Sequence, residues 1–394
     1  MIESVLPVYN RTDIAFDHGE GPWLVTGDGR RFLDFASGVA VNSLGHAHPH
    51  LVKTLTEQAQ KLWHTSNLYH ISGQEKLAQR LVAASFADTV FFTNSGSESI
   101  ECAIKMARKY HTHRGKADCF EIITLENAFH GRTLAALAAT GRENYLEGFG
   151  PVSPGFVQVP FADMAALESV MTSATAGVLL EPIQGEGGVR PVPSDMLRKI
   201  RGLCDERGVL LIVDEVQSGM GRTGKLFAYE WADIEPDIVA TAKGIGGGFP
   251  MGACLATEAA ASGMTAGTHG STFGGNPLAM AVGNAVLDVL LEPGFLEKVV
   301  STGLRLRQSV AMISDQYPEI IEGIQGEGLF LGLRCQCPNV GLVQALYNER
   351  VLSVGAANNT VRLLPPLIID ESHVEELISR MTKACKVLKA QNSA

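Results

Sequence analysis

The chain has 394 residues, 45% hydrophobic and 19% charged, enough apolar side chain to bury a large domain and a second, smaller lobe. Its net charge of −10, with no run of Lys or Arg, speaks against nucleic acid or an anionic membrane surface as partner, because both reward clustered cations. No apolar stretch reaches the ~20 residues needed to span a bilayer. The first residues do not read as a signal peptide, and seven cysteines without a C-x-x-C pair fit a reducing cytoplasm better than a disulfide framework.

In chain order, Trp23-Leu24-Val25 and Phe32-Leu33-Asp34-Phe35 flank Gly27-Asp28-Gly29 and read as a hairpin. From about residue 89 to 290, short apolar runs alternate with amphipathic segments, which predicts βα units around a mainly parallel sheet. Strands are expected at Val90–Thr93, Glu121–Thr124, Val178–Leu180, Val209–Val213 and Ile238–Ala240, and a helix with Ile100, Ala103, Ile104 and Ala107 on one face follows the first. Beyond 290, helices at Leu296–Ile313 and Val374–Leu388 flank strands near Leu329–Leu333 and Arg362–Leu364, an α+β lobe; the N-terminal hairpin is expected to pack on it or on a partner subunit. The resulting division is 1–50, 51–284 and 285–394, the first and last segments forming one small domain.

Three places carry chemistry. Asp214 ends the continuously apolar run from Val209, where open α/β sheets bind ligands, and a carboxylate there can pair with a cationic ring nitrogen. A turn cap is the plain alternative. Lys243 follows the strand Ile238–Ala240 and precedes Gly244, so a flat cofactor could approach its amine; a solvated surface lysine is the alternative. Ser95-Gly96-Ser97 lies between a strand and a helix and can bind phosphate, with Ser95 and Glu98 at capping-box spacing; a plain helix cap is the alternative.

Taken together, Asn94-Ser-Gly-Ser-Glu98, Asn127-Ala-Phe-His-Gly-Arg-Thr133, Glu181-Pro-Ile-Gln-Gly-Glu-Gly-Gly188, Asp214-Glu-Val-Gln217, Ala242-Lys-Gly244 and Gly270-Ser-Thr-Phe-Gly-Gly-Asn-Pro277 closely resemble the class III (ω-amino) aminotransferases. The likeness runs from Leu44-Gly-His-Ala-His-Pro49 to Val361-Arg-Leu-Leu-Pro-Pro366 and is strongest to the branch acting on N2-acetylornithine. It implies the fold-type-I architecture of pyridoxal-phosphate transferases: a large α/β domain with a mostly parallel sheet, plus a small α+β domain from both chain ends. It further implies that Lys243 carries pyridoxal 5′-phosphate and that Asp214 holds the ring nitrogen. Gln217 would reach the ring hydroxyl, Phe129 and Val216 would cover the ring faces, and Ser95, Gly96 and Ser97 would hold the phosphate with Thr272 from a neighbouring subunit. A homodimer with shared active sites follows.

By the same resemblance, Arg132 and Arg362 bind substrate carboxylates, Glu186 gates Arg362, and Ser271 touches substrate. Arginine suits this task because its planar fork meets a carboxylate with two bonds. The implied reaction moves the δ-amino group of N2-acetylornithine to 2-oxoglutarate, in arginine synthesis. The nearest rivals act on succinylornithine, succinyl-diaminopimelate, ornithine or 4-aminobutyrate; Val39, where enzymes acting on free ornithine carry a tyrosine, weighs against ornithine. More distant alternatives are an aminomutase and a non-catalytic binder of the same cofactor.

Two further signals are set aside. Gly219-Met-Gly-Arg-Thr-Gly224 satisfies G-x-G-x-x-G, but Asp214 and Glu215 precede it and no helix is expected to open at its last glycine, so a dinucleotide site is not assigned. His46, His48 and His50 flank a probable turn and lack an evident carboxylate shell, so no metal site is expected.

Overall fold

The computed structural model describes residues 4–392, so the ends of the expected small domain, 1–3 and 393–394, lie outside the described residues. At the N-terminus β1 (Phe16–Glu20), β2 (Trp23–Thr26) and β3 (Arg31–Asp34) form an antiparallel meander, with the expected hairpin between β2 and β3. The core of the large part is a seven-stranded sheet. Its first strands are β4 (Thr89–Thr93), β5 (Glu121–Leu125), β6 (Phe156–Val159) and β7 (Thr175–Leu180). A two-stranded ribbon of β8 (Ile183–Gln184) and β9 (Arg190–Pro191) interrupts the run before β10 (Leu210–Asp214), β11 (Ile238–Thr241) and β12 (Gly252–Ala256). The order is β4-β12-β11-β10-β7-β5-β6. Only β12 runs against its neighbours, so the carboxyl ends of the other strands share one edge.

Every residue of β7, β10, β11 and β12 is buried, as a sheet covered on both faces requires. The helix Gly96–His113 buries the predicted stripe of Ile100, Ala103, Ile104 and Ala107 against this sheet. Two strands of this sheet escaped prediction. β6 carries the sequence Phe-Val-Gln-Val and lies at a sheet edge, and β12 is a Gly-Ala-Cys-Leu-Ala run whose small residues give little β signal.

The second lobe draws on both chain ends. β13 (Ile321–Glu327), β14 (Phe330–Cys335), β16 (Val354–Ala356) and β17 (Thr360–Leu363) form an antiparallel sheet, and β15 (Val351–Leu352) pairs in parallel with β3, joining the N-terminal meander to it. Cys335 closes β14, while Cys337 falls beyond the strand rather than inside it. The two expected helices run over Phe295–Gln316 and Glu371–Asn392, and they pack on each other. The helix Pro277–Leu290, however, runs through the expected boundary at 284/285 because its apolar face continues to Leu290; we propose that the lobes divide in the turn that follows. Among the described residues, no single helix is long and apolar enough to cross a membrane.

A buried arginine pins the lobes together. Arg222 donates from Nη1 to the carbonyls of Leu329 (3.2 Å) and Pro365, and burial alone draws its guanidinium down to about 9. It belongs to the Gly219–Gly224 segment. That segment is a chain of turns, and the next helical residues are the short 3-10 turn Ala228–Ala232, so the absence of a dinucleotide-binding helix is as expected.

Gly326 sits at φ +106, and a Cβ there would lie 1.9 Å from the Phe330 carbonyl oxygen. Gly326→Ala should therefore destabilise the protein by about 2 kcal/mol or more. Gly27→Ala, where a Cβ meets nothing within 4 Å, should change the thermal midpoint by less than about 1 °C. Thermal unfolding of the two variants side by side checks both.

Candidate active site

The carboxyl edge of the large sheet opens onto a cavity of about 340 Å³. Because β10 and β11 are adjacent and parallel, with Asp214 opposite Ala240, residues 29 positions apart in the chain (214 and 243) arrive at one end of the cavity. The cavity is lined by Ser95, Gly96, Ser97, Phe129, Asp214, Val216, Gln217 and Lys243 among the residues expected from sequence. It is also lined by His130, Gly131, Glu181 and the segment Gly248–Met251, none of which had been assigned a role.

Asp214 is 4% exposed. Its Oδ2 lies 2.8 Å from His130 Nδ1, and its Oδ1 accepts the Val216 amide at 3.0 Å. His130 is itself buried, and its Nε2 has no protein partner. Glu181, at the end of β7, is buried beside this pair. Burial first, then the charge of Asp214, pushes its carboxyl up to about 7, with His130 opposing. His130 lay inside a quoted motif, but nothing in the sequence said which partner its ring would find.

Lys243 opens a 3-10 turn straight after β11, at φ +46. A side chain in that left-handed region costs on the order of 1 kcal/mol, a strain of the kind found where a residue is held for function. Burial pulls its ammonium down to about 8; Glu186 and Asp214 pull it up, while Arg362 pulls it further down. A fair share of the amine is thus uncharged near neutral pH, which a nucleophile requires.

Opposite, Ser95 caps the helix Gly96–His113, its Oγ accepting the Glu98 amide at 3.2 Å. The expected capping box is only half formed. Glu98 Oε2 reaches one residue further back, to the Asn94 amide at 2.6 Å, rather than to Ser95. The amides at the start of the helix have no intrahelical acceptor, the usual condition for an anion site. Two glycines keep this corner open. A Cβ on Gly96 would meet Val216 Cγ1 at 2.7 Å, and one on Gly131 would meet Ser97 Oγ at 2.3 Å.

Beyond Gln217 stands the pair Arg362 and Glu186. Arg362 is 2% exposed and donates to both Glu186 oxygens, Nη1 to Oε1 at 2.5 Å and Nη2 to Oε2 at 3.1 Å, with further bonds to Gln217 Oε1 (3.0 Å) and the Gly355 carbonyl (3.1 Å). Arg132 is exposed, with its guanidinium 3.9 Å from the centre of the Tyr145 ring and 5.6 Å from that of Phe129. Ser271 and Thr272 do not line this cavity. They border a neighbouring one of about 410 Å³, where Ser271 Oγ accepts the Gly274 amide at 2.8 Å and the Asn94 side-chain amide at 3.3 Å.

The chain matches the aminotransferase class-III family over residues 7–385. The chain belongs to that family. An acetylornithine aminotransferase of Mesorhizobium japonicum is 60% identical over 380 residues, covering 96% of this chain and 95% of the relative, and one of Agrobacterium fabrum is 58% identical over the whole chain and 99% of its own. Among solved structures, the ornithine aminotransferase of Toxoplasma gondii superposes with a TM-score of 0.94 at 30% identity, over 98% of this chain and 94% of that one. The N-acetylornithine aminotransferase of Stenotrophomonas maltophilia gives 0.85 at 37% identity, over 97% and 98%. The architecture is accordingly that of fold-type-I transferases, as the sequence resemblance implied.

The three clustered histidines do not converge. His46 Nε2 lies 2.8 Å from Asp34 and His50 Nε2 lies 2.8 Å from Asp288, so these two have separate carboxylate partners, which the sequence did not reveal. Among the described residues no group of three or more His, Cys, Asp or Glu could hold a metal.

The amine of Lys243 offers a direct check. Reductive alkylation of cofactor-free protein at pH 7.5, followed by peptide mapping, should label Lys243 well ahead of the exposed lysines, with half-maximal rate near pH 8. Labelling that rises only above pH 10 would contradict the desolvated amine.

Proposed function

We propose that this protein transfers the δ-amino group of N2-acetylornithine to 2-oxoglutarate with pyridoxal 5′-phosphate, yielding N-acetylglutamate semialdehyde and glutamate, as a step of arginine synthesis. The observation that carries this reading is the buried Arg362 held by both oxygens of Glu186 beside Lys243. A site serving one substrate with two carboxylates and another with a single carboxylate needs a counter-charge that can leave.

The residues fit the cofactor. The first-turn amides and hydroxyls from Ser95 to Ser97 suit a phosphate, and Phe129 and Val216 can cover a ring between them. Gly96 and Gly131 keep open the space that a Cβ would fill. Asp214, oriented by His130, offers a carboxylate to a protonated ring nitrogen, and Gln217 is in reach of a ring hydroxyl. Bound pyridoxal 5′-phosphate supplies a carbonyl for amine exchange and, with its ring nitrogen protonated, an electron sink.

The chain does the rest. With the cofactor bound, the free Lys243 amine would be the group placed to take the proton from the amine-bearing carbon of the substrate, Cδ of acetylornithine or Cα of glutamate, and to hand it back as an acid. Arg132 binds the α-carboxylate of acetylornithine. Glu186 meanwhile keeps Arg362 paired, because a lone buried guanidinium facing an aliphatic chain costs several kcal/mol. Glutamate brings a second carboxylate, displaces Glu186 and takes both arginines. Thr272 completes the phosphate site of a partner subunit, and Ser271 stands beside it for that partner's substrate.

A homodimer is supported by the surface around that loop. Asn67 donates to the carbonyls of Ser271 (3.0 Å) and Gly274 (2.9 Å), and Trp63, Leu68, Tyr69 and Phe273 are all exposed there, more apolar surface than a lone subunit usually shows. Seven free cysteines, six of them buried, suit a reducing cytoplasm.

Visible absorbance of the loaded protein, titrated with acetylornithine, succinylornithine, ornithine and glutamate in turn, tests the assignment. Loss of the lysine-bound cofactor band with glutamate and, among the other three, preferentially with acetylornithine is expected. Loss with glutamate and a different amine keeps the chemistry and changes the substrate. Lys243→Ala should lower turnover by at least ~10⁴-fold.

Glu186→Ala should raise the acetylornithine concentration for half-maximal reaction about tenfold while moving the glutamate half-reaction less than about threefold. Stopped-flow half-reactions with each donor measure this, and equal effects on both donors would argue against a gate.

A further inference from the structure

Glu181 is 4% exposed and lines the cavity at the end of β7, yet the reaction as described gives it no task. Its oxygens are already committed. Oε2 accepts the amide of Phe129 at 3.0 Å, and Oε1 accepts the amide of Gly185 at 3.3 Å. Those amides belong to different loops. One carries Phe129 into the cavity, and the other carries Glu186 to Arg362. A single carboxylate thus ties the loop that covers the cofactor to the loop that gates the substrate.

Such a carboxylate is an expensive choice in purely structural terms, since a hydroxyl or carbonyl could accept the same amides without placing a second acid beside Asp214. The titratable groups that face it are Asp214, His130 and Lys243; Glu186 and Arg362, one loop away, are paired with each other. Glu181 in turn helps to hold a proton on Lys243, so its charge is felt at the reacting nitrogen.

We propose that Glu181 is a positioning residue: through two backbone amides it sets Phe129 and Glu186 in one register, its carboxylate lining the same cavity as the amine of Lys243. The inference rests on the cavity being the cofactor site. Its two parts can be separated by substitution. Glu181→Gln removes the charge and turns a donor toward one of the two amides. Glu181→Asp keeps the charge but is one methylene too short to reach both.

The test is a pH titration of visible absorbance and visible circular dichroism on loaded wild-type protein and both variants, with the glutamate half-reaction followed alongside. Glu181→Gln should lower the midpoint of the lysine-bound cofactor by about 0.5 pH or more, because a negative charge that favours the protonated nitrogen is gone. Glu181→Asp should leave that midpoint near wild type. Both should weaken the dichroic band, as the ring cover shifts, and raise the half-saturating glutamate about fivefold with a smaller change in the limiting rate. If both variants keep the wild-type midpoint, dichroism and glutamate saturation and lose only thermal stability, Glu181 is structural and the proposal fails. A wild-type protein that shows no visible band on addition of pyridoxal 5′-phosphate would overturn the cofactor reading itself, before either variant is compared.

Discussion

Charge held out of water governs this molecule. A lysine amine becomes reactive near neutral pH only if it is desolvated, and desolvating it beside acids would restore its proton unless those acids had partners of their own. The site meets both demands. Asp214 is engaged by His130 and the Val216 amide, Glu181 by two amides, and Glu186 by Arg362. Each pairing blunts a negative charge near Lys243, and the partners come from several places: His130 and Phe129 from the loop after β5, Gly185 from the turn after β8, Val216 from the turn after β10, and Arg362 from β17 of the second lobe. The parallel sheet is therefore more than a scaffold. By ending several strands on one edge, it lets short loops meet that are far apart in the chain.

This explains why so much was legible in the sequence. Asp214 and Lys243 each follow a buried apolar strand, so their address at a strand end could be read from periodicity, and adjacency of the strands then had only to bring the two together. The Ser95 cap could be read from its position between strand and helix. Arg362 was legible only through the family motif, since an arginine inside a short strand of the small lobe gives no local sign that it faces another domain's glutamate.

What stayed hidden has a common physical cause. His130 and Glu181 act through bonds across 84 and 52 residues of chain, and a side chain's partner at that range is set by sheet order, which a single sequence does not disclose. β12 was invisible because Gly252, Ala253 and Ala256 pack through smallness. A Cβ on Gly252 would come within 2.6 Å of Ser99 Oγ and Thr93 Oγ1, so the strand's value lies in what it lacks. Because β12 runs against β11, the Gly248–Met251 segment before it stays at the carboxyl edge and lines the cavity. The helix Pro277–Leu290 crosses residue 284 for a related reason: its apolar stripe does not end before Leu290.

Neighbouring acids in one strand end also show how environment divides labour. Asp214 and Glu215 are adjacent, alternate in direction, and are both buried. Asp214 points into the cavity and meets an imidazole. Glu215 points the other way, accepts the Ser218 hydroxyl at 2.5 Å and the Tyr229 amide at 2.9 Å, and is pushed by burial up to about 8. Burial favours its neutral form, and its two oxygens knit a turn. Side chains that alternate in direction as the chain leaves β10 thus send one acid into the cavity and the next into a turn.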